Sequence, residues 1–214
     1  MLDSGSSLET ESLGNDVKIY LEGMIVLNTT AGTVTNISTV ANTTEPRTRG
    51  ALQYIPGIGA RGILVLVGGT SKPSTELDSA LSYINMTEID VFDVASLYTS
   101  SNSTGWYKQQ ATGNIPAPRG LFCMVLASAP DNSSHNLYIY GGINEATRTY
   151  YDDVYVLSIP SFTWTMVYGE GNGPKYGHTC HLVGNRQMLT VGGIADQEYQ
   201  RKYSWGQAAL ALQG

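Results

Sequence analysis

The chain has 214 residues, a formal net charge of -6 and only 14% charged residues, which excludes the basic surface that nucleic-acid binders need. Hydrophobic residues make up 42% of it, so a sizeable core is expected rather than disorder. The 24 glycines and 14 tyrosines favour an all-β fold with many tight turns. No apolar run is long enough to span a membrane, and residues 1–7 lack the basic and apolar regions of a signal peptide.

The first predicted element follows an N-terminal segment, residues 1–19, which we expect to be poorly ordered. Apolar residues from Gly23 to Leu27 lead through a turn at Thr30–Gly32 to Val34. Alternation of this kind predicts strands with one apolar face. Because only two strands are indicated here, we interpret residues 20–48 as half of a larger unit.

A GxGxxG pattern occupies residues 57–62. In a dinucleotide-binding fold this pattern stands between a strand and a helix, whose N-terminus meets the pyrophosphate. Here the apolar residues 63–67 follow directly and predict a strand. We therefore interpret the pattern as the turn of a hairpin.

An apolar strand ending in a glycine pair occurs three times along the chain. The pairs are Gly68–Gly69, Gly141–Gly142 and Gly192–Gly193. Another apolar strand precedes each pair and opens at a glycine, so we align Arg49–Gly50 with Arg119–Gly120 and with Tyr176–Gly177. Self-similarity of this kind indicates a repeat architecture.

A further alternating strand follows each of the first two pairs and leads through a turn to a tryptophan. Phe92 precedes Trp106, and Tyr155 precedes Trp164; we align Phe92 with Tyr155. Each repeat thus predicts four short antiparallel strands, with a tryptophan wedged between adjacent sheets. One such sheet cannot bury both of its faces, so the sheets must stack.

This order of strand, glycine pair, aromatic strand, turn and tryptophan resembles the kelch repeat over residues 20–193. The resemblance implies an all-β fold of kelch-type β-propeller blades, each with four antiparallel strands, like the central domain of galactose oxidase. The blades we assign are a half blade at 20–48, full blades at 49–115 and 116–173, and a partial blade at 174–193.

Residues 194–214 depart from the repeat and form an atypical tail, in which residues 208–212 look more helical than extended. The whole chain amounts to about three blades, too few to close a ring. We therefore expect an incomplete propeller, a fragment of a larger one.

The compartment is indicated by Asn-x-Ser/Thr sequons, which are more frequent than the composition predicts by chance. They begin at Asn28, Asn36, Asn42, Asn85, Asn102 and Asn132. Residues 129–136 and 177–185 also resemble fungal kelch proteins of the secreted or cell-wall-anchored type. Both observations favour an extracellular or cell-surface parent protein with glycosylated loops; the missing signal peptide leaves a cytoplasmic location as the alternative.

The cysteines and histidines give no metal site. Cys123 and Cys180 occupy matching positions of successive repeats, which allows a disulfide without requiring one. On a strand, His178 and Cys180 face one side and His181 the other, so they cannot converge on a metal. We expect ordinary packing there, and no cofactor.

Function is expected to reside in loops rather than in a catalytic centre. No nucleophile, zinc or phosphate motif is present, and the three histidines match no copper-oxidase pattern. We expect a non-catalytic module that binds a protein or a glycan, with Asn144, Arg148, Tyr150 and Tyr151 as the recognition loop. The alternatives are an intracellular kelch adaptor, such as a ubiquitin-ligase substrate receptor, and an inactive relic of a galactose oxidase.

Overall fold

The computed structural model of the chain describes residues 23–37, 46–71, 82–99, 105–169, 173–184, 187–195 and 209–211. Within these segments nearly all regular structure is β, with one short 3-10 helix at Val94–Tyr98. None of their helices is long and apolar enough to cross a membrane. The segment 1–19 and most of the tail 194–214 lie outside the described residues.

The first element is a hairpin of β1 (Met24–Asn28) and β2 (Thr33–Ile37), paired antiparallel. These are the two strands predicted for the half unit. Ile25, Leu27 and Val34 are 63, 62 and 65% exposed. The apolar side chains of this hairpin therefore lack the cover that a stacked sheet would give them.

The first large sheet is built from residues 46–110. The strands of this region are β3 (Arg47–Thr48), β4 (Ala51–Ile55), β5 (Ile63–Val67), β6 (Thr70–Ser71), β7 (Ser82–Tyr83), β8 (Glu88–Asp93) and β9 (Trp106–Gln110). The first sheet has the antiparallel order β4-β5-β8-β9, and β3, β6 and β7 form a small sheet at one end. Gly57, Gly59 and Gly62 adopt positive φ in the β4–β5 connection, which confirms that GxGxxG is a hairpin turn.

The second large sheet repeats this arrangement in residues 111–169. Its region contains β10 (Thr112–Gly113), β11 (Cys123–Ser128), β12 (His135–Tyr140), β13 (Ile143–Asn144), β14 (Thr149–Tyr150), β15 (Val154–Ile159) and β16 (Thr163–Tyr168). The second sheet has the antiparallel order β11-β12-β15-β16, with β10 added in parallel beside β16. The predicted unit of four antiparallel strands is thus confirmed twice.

The third sheet contains β17 (Tyr176–Val183), β18 (Gln187–Ile194) and β19 (Ala209–Ala211). The helical expectation for residues 208–212 is wrong for β19, because this segment pairs antiparallel with Gln187–Leu189. Local alanine and leucine propensity is weak compared with pairing to an open strand edge.

Two apolar layers hold the three large sheets together. Between the first and second sheets, Val65 and Ile89 pack with Leu137, Ile139 and Trp164. Between the second and third, Val125, Tyr138 and Tyr140 pack with Met188 and Leu182. The two central strands of the second sheet, β12 and β15, therefore bury both faces, as the stacking argument requires.

Hydrogen-bond register defines which residues are equivalent in the three sheets. Ala51, Cys123 and Thr179 each lie opposite the residue that precedes a glycine pair. Counting back four residues makes Arg47 equivalent to Arg119 and to Lys175. The alignment of Arg49 with Arg119 is therefore wrong, since the opening glycines stand at different distances from the paired residues.

The alignment of the aromatic residues before the tryptophans is also wrong. Phe92 lies directly opposite Trp106, whereas the residue opposite Trp164 is Leu157. Phe92 is thus equivalent to Leu157, and Tyr155 lies two residues earlier on its strand. The β8–β9 connection is longer than the β15–β16 connection and includes the 3-10 helix. Counting residues back from the tryptophans therefore does not give the equivalent positions.

Candidate functional site

The β13–β14 hairpin forms the centre of the candidate recognition surface. It interrupts the connection between β12 and β15; its turn, residues 145–148, and strand β14 are exposed. Arg148 adopts a positive φ of 53° there, and its N–H donates to the carbonyl of Glu145 at 3.3 Å. The turn thus presents charged and aromatic side chains at one end of the second sheet.

Two contacts from the first sheet's region hold the tip of this hairpin. The guanidinium of Arg49 lies 2.5 Å from the carboxylate of Glu145. The backbone N–H of Glu145 donates to the hydroxyl oxygen of Tyr83 on β7 at 2.8 Å. The hairpin is therefore tied to the neighbouring sheet as well as to its own.

Tyrosines flank the hairpin on the other side. The rings of Tyr150 and Tyr176 lie 5.8 Å apart, which joins the hairpin to the third sheet. Tyr151 lies over the Arg119 guanidinium at 3.7 Å. Burial raises the pKa of the Tyr151 phenol, and the Arg119 charge opposes that shift, so this tyrosine acts as a neutral hydrogen-bonding group.

Arg119 is the buried residue that supports the hairpin, through its contact with the Tyr151 ring. It is 1% exposed and forms an ion pair with Asp153, in which its Nη2 lies 3.1 Å from Oδ2. It also donates to the carbonyls of Gly141 and Ala117. The equivalent Arg47 pairs with Asp90 and donates to the Gly68 carbonyl in the same way, so these arginines are structural rather than ligand-facing.

Asn144 differs from the expectation for the recognition loop. It is 8% exposed, its amide N–H donates to the carbonyl of Pro118 at 3.0 Å, and its Oδ1 accepts from the N–H of Thr147. A buried side chain with both ends engaged positions the turn and does not reach a ligand. Of the four expected residues, Arg148 and Tyr150 are exposed and Tyr151 is half-buried.

The surface also contains residues that the sequence analysis missed. Glu145 lies in the hairpin turn itself. Arg49, Tyr83 and Tyr176 come from three separate segments and meet the hairpin only in the folded chain. No local motif marks them. We call the set Arg49, Tyr83, Glu145, Arg148, Tyr150 and Tyr176 the recognition surface.

The glycine pairs allow the close approach of neighbouring sheets. A Cβ on Gly68 would lie 2.7 Å from the Phe122 ring, and one on Gly141 would lie 2.4 Å from the Lys175 carbonyl oxygen. All six glycines of the three pairs adopt positive φ. Equivalent hydrogen bonds join neighbouring sheets at two of the pairs. The N–H of Gly69 donates to the backbone carbonyl of Arg119, and the N–H of Gly142 donates to that of Lys175.

Trp164 occupies the interface between the first and second sheets. Trp164 is 1% exposed, and its indole N–H donates at 2.8 Å to the carbonyl of Met86 in the first sheet's region. Tyr155 packs edge-on against it, with the ring centroids 6.4 Å apart. In the first sheet, Trp106 packs against Phe92 at 5.0 Å.

Cys123 and Cys180 form a disulfide between β11 and β17, with their Cα atoms 5.7 Å apart. They are not at matching positions, because Cys123 is equivalent to Thr179 and Cys180 to Met124. The described residues contain no cluster of three or more His, Cys, Asp or Glu side chains placed for a metal.

Four of the six sequons lie in the described residues, and all four asparagines are exposed. These are Asn28, Asn36, Asn85 and Asn132. Asn132 lies in the β11–β12 turn, at the end of the second sheet opposite the β13–β14 hairpin. Asn42 and Asn102 lie outside the described residues.

Comparison with known proteins agrees with this architecture. The family model of the KLHDC2/KLHL20/DRC7 Kelch-repeats domain matches residues 61–206. The solved structure of YjhT superposes with a TM-score of 0.56 at 14% identity, covering 80% of this chain and 51% of that chain.

Three curated relatives show the same similarity in sequence. A kelch repeat-containing protein of Arthroderma benhamiae is 39% identical over 159 residues, or 71% of this chain. Serine/threonine-protein phosphatase BSL2 of Arabidopsis thaliana is 28% identical over 59% of the chain, and host cell factor 2 of Homo sapiens is 25% identical over 60%. The chain spans only 21, 12 and 16% of these three proteins. By its sheets, its glycine pairs and the family match, this chain belongs to the kelch-repeat family.

Proposed function

We propose that the chain is part of a non-catalytic interaction module that binds a protein partner through the recognition surface. The observation that carries the proposal is the convergence of half-buried tyrosine and arginine side chains from the neighbouring sheets on a hairpin that exposes Arg148 and Tyr150. Tyrosine and arginine are enriched where protein interfaces gain most of their binding energy.

The hairpin is held in place before any partner arrives. The ion pair from Arg49 and the hydrogen bond to Tyr83 fix the tip, and Tyr150 rests against Tyr176. Restricting a loop beforehand lowers the entropy lost on binding. Such a surface suits a folded partner or an extended peptide with acidic and apolar groups, and a glycan stacked on the tyrosines is the second ligand class.

A binding role is favoured over catalysis by the positions of the described ionisable groups. His135 and His178 are buried within different sheets, and His181 lies on β17. A copper site of the galactose oxidase type needs histidines and tyrosines around one metal. His135 lies on β12, whereas His178 and His181 lie on β17 and face opposite sides of it. The binding interpretation uses side chains that are exposed or half-buried.

For the parent protein we propose an extracellular or cell-surface location, with glycans on exposed loops. The exposure of four sequon asparagines supports this, and a glycan on Asn132 would leave the recognition surface free. The competing intracellular adaptor would leave the sequons unmodified. Endoglycosidase treatment of protein from the native host should increase gel mobility; unchanged mobility would favour the adaptor.

Quantitative affinity capture from the native host tests the recognition surface. Arg148→Glu and Tyr150→Ala should each lose the partners that the unaltered chain retains. Tyr107→Ala is the matched control, since Tyr107 is 52% exposed on the outer strand β9, away from the surface. Equal recovery of every partner by all three variants would exclude this surface as the binding site.

A further inference from the structure

The glycine-rich turn between β4 and β5 lies away from the recognition surface. It is at the end of the sheets opposite the β13–β14 hairpin, as is the β11–β12 turn that contains Asn132. Residues 56, 57 and 59–61 of the β4–β5 turn are exposed. Because Gly57 and Gly59 have no side chains, part of the backbone in this exposed turn has no side-chain cover.

Asn132 reaches this turn from the second sheet. A Cβ on Gly57 would lie 3.7 Å from Cβ and Cγ of Asn132 and 4.0 Å from its Nδ2, so a single methyl group would fill the space between the two residues. Asn132 adopts a positive φ of 56°, and its N–H donates to the carbonyl of Ala129 at 2.9 Å. The amide nitrogen of this sequon is therefore held beside the bare backbone of the neighbouring sheet.

The 3-10 helix borders the other side of the glycine-rich turn. Among the described residues, a Cβ on Gly59 would meet only Oδ1 of Asp93, at 4.0 Å, and Asp93 is the N-cap of this helix. Tyr98, the last residue of the helix, is 65% exposed, and the Arg61 guanidinium lies 4.1 Å from its ring centroid. The turn thus connects Asn132 to an exposed arginine–tyrosine pair.

We propose that an N-linked glycan on Asn132 folds back over the β4–β5 turn and binds it, which makes this turn an intramolecular carbohydrate site. The first sugar of such a glycan is an N-acetylglucosamine joined to Nδ2. Its hydroxyl and N-acetyl groups form hydrogen bonds with backbone N–H and carbonyl groups at Gly57 and Gly59, and sugars further along reach the Arg61 guanidinium. The proposal rests on the extracellular location proposed above and is independent of binding at the recognition surface.

The covalent attachment explains how so small a surface holds a carbohydrate. A tethered ligand meets its site at a high effective concentration, so a few weak hydrogen bonds are sufficient. The glycan begins on the second sheet and its site lies on the first. When bound, it therefore lies across the contact between the two sheets and slows local opening of the β4–β5 turn.

Two sequon variants of the parent protein, produced in the native host, test the proposal. Ser134→Ala removes the glycan but keeps the Asn132 side chain, and Ser134→Thr keeps the sequon as the matched control. Peptide mass spectrometry should find a glycan on Asn132 in the unaltered protein and in Ser134→Thr. Hydrogen exchange of amides 57–62 should be about five-fold faster in Ser134→Ala, the ratio that one net hydrogen bond gives, with exchange in β17 and β18 unchanged.

Substitutions in the turns separate binding of the glycan from its presence. Asparagine tolerates positive φ better than most side chains, so Gly57→Asn places a side chain in the space beside Asn132. The matched control is Gly184→Asn, in the β17–β18 turn on the other neighbouring sheet, where a Cβ meets nothing within 4 Å among the described residues. Gly57→Asn should abolish the difference in exchange between the two sequon variants, and Gly184→Asn should preserve it.

Three results would overturn the proposal. Unmodified Asn132 would exclude the site, and if every other sequon were also unmodified it would contradict the proposed location too. A glycan on Asn132 with equal exchange of amides 57–62 in both sequon variants would exclude binding to the turn alone. Faster exchange throughout Ser134→Ala would show a general loss of stability instead of a local contact.

Discussion

His178 makes the interface between the second and third sheets sensitive to acid. The side chain is 2% exposed, its ring packs edge-on against Tyr140 at 5.2 Å, and a Cβ on Gly141 would lie 3.0 Å from its Cε1. Phe122 occupies the equivalent position one interface earlier, against Gly68. The third sheet therefore has a histidine at the position where the second sheet has a phenylalanine.

Burial, aided by the nearby Lys175 ammonium, lowers the pKa of His178 from 6.5 to about 4. Between these values the unfolded chain binds more protons than the native one, so the free energy of unfolding falls as the pH decreases from 6.5 towards 4. Linkage over this shift predicts a loss of about 2 kcal/mol between pH 7 and pH 5. In a domain of this size that loss lowers Tm by about 4–8 °C.

Thermal unfolding of His178→Phe at pH 7 and pH 5 measures this contribution. The variant should lose less Tm than the unaltered chain over that range, by the 4–8 °C estimated above for this histidine. His181→Gln is the matched control, because His181 is exposed on the same strand and should leave the pH dependence unchanged. Parallel pH profiles for His178→Phe and the unaltered chain would refute the reasoning.

Three further predictions concern contacts within the second sheet and between it and its neighbours. Thiol titration of protein unfolded without reductant should find no free thiol from Cys123 or Cys180, and reduction should cost about 4 kcal/mol for a separation of 57 residues. Trp164→Phe should cost about 2–3 kcal/mol in urea unfolding, since it leaves a cavity and a buried carbonyl without its donor. Arg119→Ala should cost about 3–5 kcal/mol, because the Asp153 carboxylate loses its buried partner.

Exposed residues provide matched controls for the two substitutions. Arg49→Ala removes a half-exposed ion pair and should cost less than about 1 kcal/mol, and Tyr168→Phe on the outer strand should cost almost nothing. A cost for Arg119→Ala no greater than that for Arg49→Ala would show that burial of the pair is unimportant. Two titratable thiols before reduction would contradict the disulfide.

The repeat unit was predictable because its signals are local. A glycine pair at the end of an apolar strand and a tryptophan after a turn lie within one stretch of chain, and alternation assigns each strand two faces. The kelch fold and the hairpin meaning of GxGxxG therefore follow from the sequence. The tail strand β19 did not, because its partner Gln187–Leu189 is some twenty residues away and local propensity pointed elsewhere.

The recognition surface could be predicted only in part. Arg148 and Tyr150 are exposed in a turn that composition alone identifies, but Arg49, Tyr83 and Tyr176 join them through inter-sheet register. Asn144, in contrast, is buried, because its side-chain amide donates to the carbonyl of Pro118. Side chains that meet across sheets leave no pattern along the chain.

The two cysteines show why the register matters. Neighbouring sheets face each other with opposite sides, and consecutive side chains on a strand point to opposite sides. Two cysteines at identical repeat positions would therefore point in the same sense around the stack, one towards its neighbour and the other away. The one-residue offset between Cys123 and Cys180 makes them face each other across the contact between the second and third sheets, where they form the disulfide.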